Sequence, residues 1–302
     1  MYLTGFADEA GACIDTQIKA TQTLGWSNIE MRRVRVGDEE KNLTDISDAA
    51  FDVVAGKLED AGVTVNCFGS AIANWGKLIT DPFDSSLEES RRAIPRMKRL
   101  GSKMVRMMSF KHDLESDPFD DDAQGFEERC RRLRELVAMF ADEGLTCVHE
   151  NCMNYGGMGY LFTQRLIENV PGLKLVYDTG NPVFTDDRTK PAPYPKQNSW
   201  EFYSHVKEHI AYVHIKDGTW PVGVEKPSST FTFAGEGQGD VRAIVKDLLD
   251  SGYDGGFSME PHLAVVFHDD SVTAEADVKF SNYIEYGRRF EQLLSDIGHP
   301  VR

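Results

Sequence analysis

A single-domain α/β fold, a (β/α)8 barrel of the TIM type, is what this chain predicts, and three observations carry the expectation. Short β-rich runs alternate with amphipathic stretches eight times along 302 residues, the sequence form of a parallel sheet joined by crossover helices. Such a barrel needs about 250 residues plus loop insertions, so one domain over 1–302 accounts for the length. Glycines stand where helical patterns stop, at Gly25, Gly62, Gly101, Gly144 and Gly252. The left-handed turn back into a strand favours glycine there.

Taken in order, the expected strands are YLTGFA at 2–7, NIEMRR at 28–33, VTVNCF at 63–68, KMVRMMS at 103–109, LTCVHE at 145–150, LKLVYD at 173–178, IAYVHI at 210–215 and GGFSME at 255–260. Each is a short apolar run rich in β-branched or aromatic residues, as a strand buried on both faces requires. Amphipathic helical patterns follow at 14–24, 47–61, 85–100, 124–143, 160–168, 199–208, 240–251 and 277–296. Asp240 stands ahead of VRAIVKDLL as the expected N-cap of the seventh helix. Two loops are long: 181–198, with four prolines after the sixth strand, and 218–239 after the seventh. Loops after barrel strands lie on the active face, where they shape specificity or cover a ligand.

Composition narrows the function classes. Hydrophobic residues at 41% and charged residues at 27%, with a mean hydropathy of −0.40, fit a soluble globular chain. No apolar run approaches the roughly 18 residues of a membrane span, and MYLTGFADEAG lacks the basic and apolar regions of a secretory signal. A cytoplasmic location is expected, with no membrane partner. The formal charge of −16 repels polyanions, which argues against nucleic acid as a partner. Five cysteines, none in a C-x-x-C pair, read as reduced and mainly buried.

Four residues carry the chemistry, each at the carboxyl end of an expected strand: Glu150, Asp178, His214 and Glu260. They lie 28, 36 and 46 positions apart, yet parallel strands deliver their last residues to one mouth of the barrel. Buried carboxylates crowd together only when a cation neutralises them. Three carboxylates and one imidazole suit a divalent metal, Mn²⁺ first with Mg²⁺ or Co²⁺ as alternatives, and no organic cofactor is needed. Taken singly, each is as readily a helix cap or part of a solvated acidic rim. With a metal polarising a carbonyl, Glu150 and Glu260 would act across the substrate as the acid/base pair that moves a proton on the neighbouring carbon.

At these residues the chain resembles the sugar phosphate isomerase/epimerase-like group of xylose isomerase-type barrels, with its ketose 3-epimerases, hydroxypyruvate isomerases and inosose dehydratases. The resemblance runs from GFADEA through NIEMR, HEN, YDTGN, VHIKD and GEGQGD to SMEP. It implies a divalent-metal-dependent isomerase or epimerase of a sugar or keto-sugar working through an enediolate, with Glu150, Asp178, His214 and Glu260 as ligands. The alternative is a metal-dependent lyase on a keto-sugar or inosose, a dehydratase or a C-glycoside-cleaving catalytic subunit. Family members frequently place a substrate-binding His three residues after the Asp ligand; here Asn181 takes that place, which keeps the lyase alternative open.

Further substrate-binding candidates are Lys216, on the same strand face as His214, Arg32, His262 just past Glu260, and Asn74 and Trp75 after the third strand. His149 is also a candidate, although strand alternation turns it away from Glu150's side. Each has a plain structural reading as a packed or solvated side chain. The glycines of AGEGQG lack the full dinucleotide pattern, so no nucleotide is expected. A DNA-repair endonuclease of the same fold would need a richer histidine cluster than eight residues supply. The expected partner is a small carbohydrate substrate, with self-association into a homo-oligomer or a small accessory subunit as further expectations.

Overall fold

In the computed structural model, which describes residues 1–221, 228–264 and 275–301, eight parallel strands make up the central sheet. They are β1 (Tyr2–Gly5), β2 (Asn28–Met31), β3 (Thr64–Gly69), β4 (Met104–Met107), β5 (Thr146–Glu150), β6 (Lys174–Asp178), β7 (Ile210–Ile215) and β8 (Gly256–Met259). Each pairs in parallel with its sequence neighbours from β2 through β8, and β8 pairs with β1. A parallel bridge between Phe6 and Glu30 brings β1 against β2 and closes the ring. Helices follow the strands as the periodicity predicts, among them Ile14–Thr23, Asp48–Ala61, Asp84–Leu100 and Phe126–Ala141. No helix among the described residues is long and apolar enough to cross a membrane.

The core has two parts because every strand is covered on both faces. The larger part lies between strands and helices. The smaller, formed by Cys67, Val148, Val176 and Tyr212, fills the barrel interior, as the side-chain layers of such barrels do. That plug is the floor on which the polar residues nearer the carboxyl ends rest. The helix-stop glycines behave as expected: Gly25, Gly62, Gly101, Gly144 and Gly252 all have positive φ.

Local structure departs from expectation in two places. The second strand ends at Met31, and Arg33–Val36 folds back on Glu39–Asn42 as an antiparallel hairpin. Its signal is legible afterwards: RVRV alternates, Val34 is buried, and Gly37 at the turn has φ 60°, the backbone a two-residue hairpin loop demands. Asp240 does occupy the N-cap of helix Val241–Asp250, but in a left-handed conformation with no side-chain cap bond.

The long loop after β7 starts as a hairpin, Asp217–Thr219 against Thr230–Thr232; its residues 222–227 fall outside the described chain. The AGEGQG glycines wrap an internal carboxylate. Asp217 is fully buried and accepts the backbone N–H of Gly218, Gly235, Gly237 and Gly239 at 2.8–3.0 Å. A Cβ at Gly237 would stand 2.3 Å from Asp217 Oδ1, so only glycine fits. Asp217→Ala is expected to cost about 2–3 kcal/mol, the scale of losing charge-assisted hydrogen bonds in a buried site. Urea unfolding checks this, and an unchanged midpoint would remove the cradle from the account of the fold.

Candidate metal centre

Strand alternation lifts the four acidic and imidazole residues off the apolar plug. Val148, Val176 and Tyr212 face the barrel interior, so the residues two positions on, Glu150, Asp178 and His214, share that face one layer higher. Ser258, whose hydroxyl meets Glu30 inside the barrel at 2.6 Å, does the same for Glu260. One ligand atom from each of Glu150, Asp178, His214 and Glu260 lies within 4.8 Å of the other three, and all four residues are buried. Register helps: Asp178 and His214 are direct partners across β6 and β7, and Asn151 ties β5 to β6 by exchanging hydrogen bonds with the Asp178 backbone at 2.7 and 3.0 Å.

Each side chain turns one atom inward and anchors another. His214 Nε2 faces Glu30 at 3.1 Å, while Nδ1 points at Glu150 Oε1, 3.6 Å away, and Glu260 Oε2, 4.0 Å away, without a hydrogen bond. A carboxylate behind a histidine is the support that metal-ligating imidazoles commonly have. Glu150 Oε2 is held by Arg106 at 3.1 Å and Glu260 Oε1 by Arg32 at 2.7 Å. Asp178 Oδ1 accepts the N–H of Gly180 and Asn181 at 2.8 Å, leaving Oδ2 for the centre. A buried imidazole nitrogen without a partner, among inward oxygens, fits a divalent cation.

Basic residues compensate only part of the buried charge. Asp8, Glu9, Glu30, Glu150, Asp178 and Glu260 are buried, against the fixed cations Arg32, Arg106 and Lys216. With His214 neutral, the form that can ligate, the excess is three negative charges, of which one divalent ion would offset two. Burial works against a charged His214, yet Glu30 and Glu150 carry it up to about 10. Burial pushes Asp178 up to about 6 despite Lys216. For Glu150, burial is outweighed by Arg106 and His214, which hold it near 2, and Glu260 stays well below the usual range because Lys216, His262 and Arg32 outweigh burial. Lys216 Nζ sits 2.8 Å from both Asp178 Oδ2 and Glu260 Oε2, among the inward oxygens themselves.

The family model of xylose isomerase-like TIM barrels matches residues 18–281. The chain belongs to that family. An inosose dehydratase from Clostridium botulinum (strain Alaska E43 / Type E3) is 24% identical over 244 residues, covering 72% of this chain and 73% of that protein. A solved xylose isomerase-like TIM barrel protein from Mycobacterium smegmatis, in complex with magnesium, matches with a TM-score of 0.66 at 19% identity, over 98% of this chain and 97% of its own. The 3-keto-D-glucoside 4-epimerase YcjR from E. coli, in its apo form, matches with a TM-score of 0.62 at 15% identity, over 96% and 99%. These structural likenesses speak for the shared barrel.

On this xylose isomerase-like barrel, a cavity of about 290 Å³ opens beside the four inward atoms. Of the substrate-binding candidates, Asn74, Trp75, Arg32, Asn181, Lys216 and His262 line it. Asn181 donates to Glu150 Oε1 at 3.1 Å, and His262 is tied to Glu9 through both its backbone N–H and Nδ1. His149 is corrected: it does not line the cavity, and its Nε2 meets Ser109 and Asn154 at 3.0 Å. Burial lowers it to about 4, so it packs as a neutral ring on the far face of β5. Glu150 and Glu260 also differ from expectation: their inward oxygens converge within 4.8 Å, so the substrate would sit over the pair rather than between them.

Sequence reasoning missed Glu30, Arg106 and the Asp8–Glu9 pair that clamps Arg32. A charged residue inside an apolar strand, as in NIEM and MVRM, was the signal for the first two.

Two outcomes are expected. Titrating Mn²⁺ into metal-free protein at pH 7 should release about one proton per ion, since His214 must give up the proton its raised pKa retains. Affinity should therefore rise with pH below about 10. Calorimetry in buffers of different ionisation enthalpy measures this, and buffer-independent heats would contradict the His214 assignment. Glu30→Gln should weaken Mn²⁺ binding roughly 10- to 100-fold, as removal of a ligand's supporting partner does.

Proposed function

We propose that this protein is a divalent-metal-dependent isomerase or epimerase of a sugar or keto-sugar, with Mn²⁺ as the first candidate ion. One observation carries the proposal: three carboxylates and the unpartnered Nδ1 of His214 converge, buried, beside a cavity that Glu150 and Glu260 line. A divalent ion held by Glu150, Asp178, His214 and Glu260 would polarise a substrate carbonyl and acidify the adjacent C–H.

The rest of the chemistry falls to the chain. Arg106 and Arg32 keep Glu150 and Glu260 ionised, the state a proton acceptor needs. One carboxylate takes the proton, and the same or the other returns it, to either face or to the neighbouring carbon. Lys216, with its ammonium between Asp178 and Glu260, supports negative charge that develops on a substrate oxygen. Asn181, Asn74 and His262 offer hydrogen-bond partners to hydroxyl groups. The small cavity suits one sugar-sized ligand.

A second reading, elimination from a keto-sugar or inosose, rests on Asn181 in the place where family members frequently carry a histidine and on the similarity to an inosose dehydratase. There Glu150 or Glu260 would remove the proton, and the ammonium of Lys216, beside Asp178 and Glu260, would protonate the departing oxygen.

Glu150→Gln and Glu260→Gln should each lower kcat at least about a thousandfold, within the range of lost acid–base catalysis, with unchanged circular dichroism. Wild-type rates in either variant would reject the acid/base assignment. Chelation should silence the protein and Mn²⁺ restore it. In deuterated buffer a keto-sugar panel separates the two reactions: solvent label in an intact carbon skeleton marks isomerisation, and an unsaturated or cleaved product marks elimination.

A further inference from the structure

The three buried cations around the candidate metal centre do not stand in the same relation to it. Arg32 holds Glu260 Oε1 at 2.7 Å and Arg106 holds Glu150 Oε2 at 3.1 Å. Each guanidinium is also fixed from a second side, Arg32 by Asp8 and Arg106 by the Ser70 carbonyl. Both take outward oxygens and leave the inward ones alone. Lys216 does the reverse: its Nζ lies 2.8 Å from Asp178 Oδ2 and 2.8 Å from Glu260 Oε2.

Those two oxygens are the ones their carboxylates have left to offer an ion. Asp178 Oδ1 accepts the N–H of Gly180 and Asn181, and Glu260 Oε1 is taken by Arg32. An ion bound to both remaining oxygens would lie within roughly 5 Å of the ammonium, two cations sharing the same acceptors in a buried site. Among the described residues Lys216 forms no ion pair with any other carboxylate. Once an ion takes these oxygens, nothing holds the ammonium there.

The surroundings give the side chain a way out. Its backbone is fixed, since the Lys216 N–H donates to Thr179 Oγ1 at 3.1 Å and the Lys216 carbonyl accepts from that hydroxyl at 2.6 Å. The stem runs past Gly180, where a Cβ would stand 2.8 Å from Lys216 Cγ, so glycine clears the space it crosses. Lys216 also lines the cavity of about 290 Å³, beside Asn181. A flexible four-carbon stem can carry an ammonium from the carboxylates into that cavity with the backbone still; a planar guanidinium clamped on two sides cannot.

We propose that Lys216 is a tethered counter-ion that competes with the metal: its ammonium bridges Asp178 and Glu260 until a divalent ion enters, and is then released into the cavity to face the substrate. The inference rests on the metal-dependent carbohydrate reading above and adds the regulation of that site. Metal entry performs two operations at once, completing the centre and freeing the cation that meets a substrate oxygen. Before it, the charge of Lys216 is spent on the carboxylates it bridges.

Two measurements test this. Calorimetric titration of Mn²⁺ into Lys216→Met, which keeps an unbranched side chain without the charge, is expected to show binding at least about tenfold tighter than wild type, because no cation has to be displaced. Loss of a merely supporting residue would weaken binding instead. In the wild-type protein, acetylation by a small N-hydroxysuccinimide ester, followed by peptide mass spectrometry, reads where the amine stands. Lys216 should react several-fold faster with saturating Mn²⁺ than without it, while Lys98, exposed on helix Asp84–Leu100, keeps its rate. Unchanged or weaker Mn²⁺ binding by a variant with wild-type circular dichroism overturns the competition. A Lys216 labelling rate that Mn²⁺ leaves unchanged overturns the release, and if the variant does not fold, the labelling rate alone decides. Either result leaves the carbohydrate reading in place, whereas failure of the wild-type protein to bind Mn²⁺ overturns that reading and this inference together.

Discussion

Excess negative charge, buried where water cannot screen it, is the constraint around which this barrel is organised. Glu150, Asp178 and Glu260 are driven within a few ångströms of one another by the strands that carry them, and mutual repulsion at low dielectric would force them apart or protonate them. The protein answers with guanidinium groups on the outward oxygens and an ammonium on the inward ones. The compensation is incomplete, and the deficit faces the cavity. An apolar barrel top would be easier to fold; a charge imbalance held by the scaffold is tolerated when a cation completes it.

The geometry that sustains this arrangement is simple. A two-residue period sets Cys67, Val148, Val176 and Tyr212 as a plug and the polar residues as a second layer above it. The plug also fixes their orientation, because Tyr212 packs edge-on to His214, and Phe6 does so from another side. Glu30 then has one role left, to face Nε2 from below, with Ser258 holding it. Arg32, clamped by Asp8 and Glu9, carries the network to the first strand's loop. The site is thus assembled on strand ends, with loops supplying its walls.

Much of this was legible in the sequence because it follows from periodicity. Apolar runs bounded by glycine located all eight strands, and the position of Glu150, Asp178, His214 and Glu260 at their ends foretold the convergence. What escaped were features that depend on which side chain meets which across the barrel. Glu30 reads in isolation as a polar interruption in NIEM, and Arg106 as a misplaced charge in MVRM; only the closed ring places them beneath His214 and beside Glu150. The hairpin at Arg33–Asn42 was hidden by its continuity with β2. His149 shows the converse, since alternation alone already assigned it to the opposite face from Glu150.

The carboxylate of Asp217 has a bearing on how such barrels diversify. It follows Lys216 in the chain and gathers the amides of residues at both feet of the long loop, Gly218 at one and Gly235, Gly237 and Gly239 at the other. Both feet are therefore riveted to the strand that bears His214, independently of what lies between them. Insertions, deletions or exchanges in the intervening span would leave the imidazole where it stands. A lineage built on this device can exchange what it carries between the two feet without rebuilding the chemistry underneath.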